Sequence, residues 1–491
     1  MSDTLATLQK ALAPKTGMRS IPFPTESYQH PSKPYNSKRL LNYAAEAGPP
    51  DSRSPFVLMP TPGLVYRETV GAGPWHAFNT NLIGGFYVVS GDTLFRNSGG
   101  VTVSLGSVGT MVNPYPGGTV EIMVTIAVSP TAAVICVPPK LFTCLHAGAI
   151  SEIDTSGFPG GGAESVTYID GYFVATQYGV GTTFVISNLN DPTAWDALDF
   201  ANVEGMENVL LRAVRHRGEL WLLGVSGGEI WYDAGAPDFP FRRQAGGVIP
   251  YGFIAKSVAS IDGSLWWVTR DGTVVRSSGY QGKRVSTHAI ELIIEAANPD
   301  LCFGNAYLMD GHSYYCATFP DIGRTLCFDV ATDKWHDRSS SADGSGAWRP
   351  LQVGRIGEAV YCGDATGRMY RLDPLGATDN GVPMIRQATL PPLYVDGHRV
   401  FCARAAVEME VGTSTDASVT LDWSDDGGNN FTGGPRVMSS GTASQFRKRV
   451  YTTRLGSFRE RMFRVTTTGR STLYGVEADI SAPASTSGAN S

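Results

Sequence analysis

The chain has 491 residues, 42% of them hydrophobic and only 17% charged, with 57 glycines, 30 prolines and a net charge of −6. So few charges and so much glycine argue against a coiled coil or helical bundle and favour short strands joined by tight turns. The acidic balance excludes a chain that clamps nucleic acid by overall charge, and the length suits two to four domains, or one large β domain with additions.

The N-terminal residues carry no basic start followed by an apolar core, so no secretory signal is expected. Thr4 to Leu12 could form a short helix. No stretch reaches the ~18 apolar residues of a membrane helix; the longest mostly apolar run, 122–137, is broken by Ser129 and Pro130. Seven scattered cysteines without a C-x-x-C pair read mostly as buried free thiols. Residues 1–71 are expected to form an extended N-terminal arm, because 20–65 is rich in Pro, Ser, Tyr and Asn and lacks a period.

From 72 to 388 one pattern recurs: an apolar run, a glycine turn, a second run, a second turn. Turns fall at Gly171, Gly218, Gly263, Gly311 and Gly357, spaced 47, 45, 48 and 46 residues apart. Gly85 lies 86 residues before Gly171, with the run around Pro130 filling the gap. Asp-Gly between β-prone runs is a strong hairpin signal, because both turn residues need positive φ. Three or four strands per 40–50 residues is the requirement of a propeller blade, whose faces are buried only by neighbouring blades. The expectation is an all-β chain with a propeller-like domain of six or seven blades. A β-solenoid or a pair of sandwiches is the rival.

Residues 389–483 hold five alternating runs and read as an antiparallel β-sandwich. Alternation places Val419, Leu421 and Trp423 on one face, and Arg461, Phe463 and Val465 opposite Met462 and Arg464. Residues 484–491 form a polar tail expected to be disordered.

Chemistry-bearing patterns are sparse. No G-x-S-x-G elbow sits between a strand and a helix, and the glycine-rich stretches 117–120 and 160–165 lack the Lys-Ser/Thr ending of a phosphate loop. Cys144 and His146 share a strand face without a second ligand pair. Asp262, Asp271 and Asp310 read as turn residues rather than paired glycosidase carboxylates. Neither catalytic residue, metal nor cofactor is expected. Ser424–Phe431, SDDGGNNF, matches an Asp-box, a structural turn in which the acid bonds backbone N–H groups and the aromatic packs beneath. Residues 446–464 hold Arg447, Lys448, Arg449, Arg454, Arg459, Arg461 and Arg464 against Glu460 alone. Of these, Arg447, Arg449, Arg454, Arg459 and Arg461 are the candidate interface residues. Protein contact is favoured over DNA because arginine pairs bidentately with carboxylates.

Two stretches resemble one family. The run from Ser37 to Leu64, with Arg39, Leu40, Leu41, Asn42, Glu46, Pro55, Phe56, Leu58, Thr61, Pro62, Gly63 and Leu64, is similar to the N-terminal strap of packaged-DNA stabilisation proteins. These are tail hub or nozzle proteins of short-tailed bacteriophages. Trp423 to Gly428, with Arg454, Leu455, Gly456, Arg459, Arg461, Phe463 and Val465, is similar to that family's closing module. Ala44 and Ala45 depart from the strap pattern.

The resemblance implies a structural virion tail subunit, made in the host cytoplasm and assembled as a sixfold ring below the portal and adaptor. It would retain packaged DNA, pass double-stranded DNA at ejection and dock fibre, spike or needle proteins, with no membrane anchor. A mildly acidic conduit would let DNA slide. The alternative is a carbohydrate-binding or glycan-degrading propeller of a tail fibre.

Overall fold

The computed structural model describes residues 17–49, 51, 55–80, 84–109, 123–205, 209–395, 397–410, 418–439 and 447–481. The helix expected over Thr4–Leu12 and the polar tail lie outside them. The chain forms two compact units, 64–331 with 346–373, and 1–63 with 332–345 and 374–491.

The first unit is a propeller. Among the described residues it contains five separate four-stranded antiparallel sheets, over 75–107, 125–153, 163–202, 210–249 and 259–284. Two further sets follow. One comprises Phe303–Met309, His312–Phe319 and Arg324–Asp329; the other comprises Gln352–Ile356, Ala359–Gly363 and Arg368–Asp373. The strand Gly63–Thr69 joins the last set beside Arg368–Asp373, and the Val70 N–H donates to the Gly367 carbonyl at 2.7 Å. The last blade is thus completed by a strand from before the first.

Each sheet buries its faces against its neighbours, as a blade must. Phe142 and Tyr87 meet between the first two sheets, and Phe173 and Leu141 between the second and third. Phe184 and Leu222 link the third and fourth, and Trp221 and Trp267 the fourth and fifth. Trp266 stacks on Tyr315 at 5.6 Å between the fifth and sixth. Cys316 and Cys362 share the next core, and Trp75 with Met369 closes the ring from last sheet to first. The expected turns are present: Asp170–Gly171, Asp262–Gly263 and Asp310–Gly311 have positive φ at both residues.

Polar links run around the axis from sheet to sheet. Asn79 Nδ2 donates to the Ile126 carbonyl at 2.6 Å, Val166 N to Thr125 Oγ1 at 2.9 Å, and Ala213 N to Ser165 Oγ at 2.9 Å. Arg212 donates to the Ala255 carbonyl at 2.8 Å, Tyr315 Oη to the Ser257 carbonyl at 2.8 Å, Val353 N to Asn305 Oδ1 at 3.1 Å, and Gln352 Nε2 to the His76 carbonyl at 3.1 Å. Side chains from neighbouring blades therefore satisfy backbone groups at the inner strand edges, which would otherwise be open.

The second unit is a β-sandwich. One sheet runs Tyr43–Ala47, Phe56–Pro60, Thr472–Ser481, Val400–Glu410, Lys448–Thr453, with Gly17–Ile21 also on Thr472–Ser481. The other contains Ser37–Leu41, Ile385–Thr389, Glu460–Thr468, Ser418–Ser424 and Gly433–Ser439 in that order. Leu58, Val407, Leu421, Phe463, Val465 and Ile480 fill the space between. The segment read as an extended arm thus supplies strands to both sheets: Gly17 pairs with Ile480, and Arg39 with Thr389.

Candidate interaction surface

The Asp-box turn closes as expected. The Ser424 hydroxyl contacts Asp426 Oδ1 at 2.6 Å and accepts the Gly428 N–H at 2.9 Å. Asp426 accepts the Asn430 N–H at 2.9 Å and its amide at 2.7 Å, and these bonds, the backbone one foremost, hold its pKa down at about 2. Phe431 lies 4.0 Å from the Arg464 guanidinium. Arg464 in turn pairs with Asp422. The turn's polar groups are engaged within the fold.

The basic run does not present one charged face. Arg461 is 2% exposed. Its Nε and Nη2 each donate to Asp425 at 2.6 Å, Nη1 donates to the Leu455 carbonyl at 2.6 Å, and the guanidinium lies against Phe458 and Trp423. Its expected place at an interface is therefore corrected: every nitrogen is committed inside the chain. Alternation had already put it on the face of Phe463 and Val465.

Arg449 pairs with Glu477, Arg447 with Glu408 at 3.7 Å, and Arg404 with Asp479 at 3.9 Å. The carboxylates come from the strands Val400–Glu410 and Thr472–Ser481 of the same sheet, so this basic surface is electrically compensated. Arg454 and Arg459 remain exposed at one end of the sandwich. Arg454 sits at φ 61° and its N–H donates to the Ala403 carbonyl; Arg459 Nη1 donates to the Gly397 carbonyl at 3.1 Å. Exposed Arg399, Tyr394 and Phe401 lie on the adjoining segments, with Phe401 opposite Ser457 and Tyr394 opposite Glu460. Arginine and aromatic residues are the types enriched at protein interfaces. Tyr394, Arg399 and Phe401 were missed in the sequence because the basic run drew attention to 446–464.

The strap residues form a buried polar knot. Arg39 Nε pairs with Asp337 at 2.6 Å. Asn42, at φ 53°, donates to the Ser339 and Ile385 carbonyls at 3.0 and 2.8 Å and accepts the Ser339 N–H. Thr61 N–H and Oγ1 both donate to the Asn42 carbonyl, Arg338 donates to the Pro62 carbonyl, and Arg386 to those of Thr61 and Gly469. Burial draws the Arg386 pKa down to about 10, with Tyr43 opposing and Arg338 and Arg470 adding to the shift. A Cβ on Gly63 would stand 2.5 Å from the Thr378 carbonyl oxygen, so the motif needs glycine there.

The other candidates have structural explanations. His146 bonds Tyr87 Oη and the Ser129 carbonyl, while Cys144 Sγ points to the Leu145 and Gly148 carbonyls. Asp262 and Asp310 occupy positive-φ turn positions. Among the described residues no group of three or more His, Cys, Asp and Glu is arranged to hold a metal. Five of the seven cysteines are buried free thiols; Cys316 and Cys327, opposite each other on adjacent strands, form a disulfide. A strand register, invisible in cysteine spacing, makes that pair.

Comparison with known proteins decides the family. The propeller model of bacteriophage P22 Gp10 matches residues 19–376, and the β-sandwich model of the same protein matches 386–481. This chain belongs to the bacteriophage P22 Gp10 family. The family is one of structural phage proteins, which makes the chain a virion component. The Gp10-type propeller and sandwich agree with the two sets of sheets described above. No curated protein sequence matches the chain.

Solved structures also align with the chain. Virginiamycin B lyase from Staphylococcus aureus is 11% identical (TM-score 0.44), covering 63% of this chain and 98% of that one. YCF48 from Cyanidioschyzon merolae is 10% identical (TM-score 0.41; 64% and 99%), and BamB from Moraxella catarrhalis 12% identical (TM-score 0.35; 64% and 97%). Likeness at this level carries no functional argument.

Proposed function

We propose that the chain is a tail nozzle or hub subunit of a short-tailed bacteriophage. In this reading it assembles as a sixfold ring that extends and seals the portal-adaptor channel, holds packaged DNA in and passes it at ejection. Its partners are other copies of itself, the head-to-tail adaptor, fibre, spike or needle proteins, and double-stranded DNA in transit. Its work is shape and sealing rather than bond making. The observation that carries this is the match of Gp10 models to both units of the chain.

Charge distribution supports assembly by unlike surfaces. Residues 141–211 hold nine carboxylates and no Lys or Arg, whereas exposed Arg399, Arg454 and Arg459 cluster on the sandwich. A ring requires such a heterologous contact, one patch meeting a different one. Compensation of Arg447 and Arg449 by Glu408 and Glu477 suits a conduit that does not grip DNA.

The experiment is mass photometry and electron microscopy of the purified chain with and without the adaptor, paired with deletion of the gene from the phage. Rings of six copies and capsids that lose their genome are expected. A chain that stays monomeric beside adaptor, or deletion particles that keep their DNA, would refute the proposal.

A further inference from the structure

The sandwich sheet that contains Ser37–Leu41 carries a row of side chains across four of its strands. Arg39 lies opposite Thr389, Thr389 opposite Arg464, and Arg464 opposite Asp422. Their chain neighbours Leu40, Ala388, Val465 and Leu421 fill the core, so strand alternation turns the row away from it. Each arginine is tied outward, away from Thr389. Arg39 Nε pairs with Asp337 at 2.6 Å on Lys334–Arg338, the strand on the far side of Ser37–Leu41, and Nη2 donates to the Gly344 carbonyl at 3.3 Å. On the other flank Arg464 Nε donates to the two oxygens of Asp422 at 3.0 and 3.1 Å. Thr389 thus sits between two arginine positions that are two strand spacings apart, roughly 10 Å.

A pocket of about 350 Å³ is lined by Arg39, Thr389 and Arg464 together. Thr389 is only 5% exposed, yet its hydroxyl makes no hydrogen bond among the described residues. Nη1 of Arg39, Nη1 of Arg464 and the exposed ammonium of Lys33, which also lines the pocket, are likewise uncommitted there. Gln387 and Asn429 complete the polar wall. They spend their amide nitrogens on Thr466 Oγ1 and the Asp426 carbonyl, which leaves the amide oxygens as acceptors. Phe431 adds an apolar wall, its ring centre 4.0 Å from the Arg464 guanidinium.

Two fixed guanidinium N–H groups and an ammonium call for an anion, and the amide oxygens call for O–H groups on the same ligand. A buried hydroxyl without a partner is costly, and a ligand oxygen relieves it. We propose that this pocket binds a carboxylate-bearing sugar, its carboxylate bridging Arg39 and Arg464 over Thr389 and its ring hydroxyls donating to Gln387 and Asn429. The volume lies at the small end of ligand pockets, enough for one sugar ring. Asp337 and Asp422 already hold the arginines in place, so little side-chain freedom is lost on binding. The site lies within the sandwich unit and does not depend on ring formation.

The test is calorimetric titration of the full chain with sodium glucuronate, galacturonate and N-acetylneuraminate at constant ionic strength, with glucose and acetate as controls. At least one acid sugar should bind saturably. Glucose and acetate should bind at least about tenfold more weakly, because one lacks the carboxylate and the other the hydroxyls. Arg464→Lys should weaken binding at least about tenfold, Thr389→Val about threefold to tenfold and Lys33→Met about threefold to fivefold, with Arg459→Ala unchanged. Should Arg464→Lys fail to fold for want of its pairing with Asp422, Thr389→Val and Lys33→Met decide, since neither side chain bonds another group in the described fold. Acetate binding as tightly as the acid sugars would reduce the pocket to a simple anion site and overturn sugar recognition; glucose binding as tightly would overturn the role of the arginines. No saturable binding of any acid sugar, or undiminished affinity in every folded variant, overturns the proposal as a whole.

Discussion

Arg461 and Asp425 form a two-pronged ion pair, both hydrogen bonds 2.6 Å long, in which the arginine is almost wholly buried and the carboxylate half exposed. The pair ties the Asp-box turn to the strand Glu460–Thr468, and Trp423 and Phe458 pack on the guanidinium. An arginine in the middle of a surface-like basic run is thereby part of the sandwich core.

Removing the guanidinium leaves Asp425 and the Leu455 carbonyl without their donors and opens a gap beside two rings. Arg461→Ala should lower unfolding free energy by about 2–4 kcal/mol in urea titration. Arg461→Lys should recover little of it, because an ammonium cannot supply the paired fork. Arg459→Ala, on an exposed side chain, should stay within about 0.5 kcal/mol of the parent. Equal effects at 461 and 459 would contradict this placement.

Ring closure depends on a contact that tolerates no extra atom. A Cβ on Gly363 would stand 1.8 Å from the Trp75 ring, so Gly363→Ala must displace the indole that joins last sheet to first. It should destabilise the propeller by more than about 2 kcal/mol, and Trp75→Ala by about 3–5 kcal/mol. Thermal unfolding with circular dichroism reads both. At Gly357, φ is 58° but a Cβ meets nothing within 4 Å, so Gly357→Asn should be far milder.

These contacts also show what a linear reading reaches. The hairpins at Gly171, Gly263 and Gly311 were visible because Asp-Gly announces positive φ locally, and Val419, Leu421 and Trp423 because a period of two exposes the buried face. The pairing of Gly17 with Ile480 has no local signal: its partner is more than 460 residues away. Gly433–Ser439 contains a Gly-Gly-Pro run that gives no strand signal, yet it is an edge strand, where proline is tolerated. Arg461 carried both signals, charge saying outside and alternation saying inside, and alternation was right.

Arg454 and Arg459 are exposed and bond only backbone in the contacts above, so reversing their charge should spare the fold. Arg454→Glu with Arg459→Glu should leave Tm within about 2 °C while abolishing ring or adaptor association in mass photometry. Arg447→Ala with Arg449→Ala should weaken association much less, since Glu408 and Glu477 already neutralise them. Unimpaired rings from the doubly reversed variant would remove these two arginines from the interface.

Glu164, in the inner strand Ala163–Ile169, supplies a pH signature. Burial raises its pKa from 4.5 to about 7, although the Gly179 N–H bond opposes the shift. The unfolded chain loses this proton near pH 4.5 and the folded chain only near 7. Below 4.5 both states hold it and the group is neutral toward stability. Between 4.5 and 7 the destabilisation grows, and above 7 it is full, of order 1–3 kcal/mol after allowance for partial exposure. Glu164→Gln should therefore raise Tm at pH 8 and leave it nearly unchanged at pH 4. A gain of equal size at both pH values would mean that burial of the charge is not the cause.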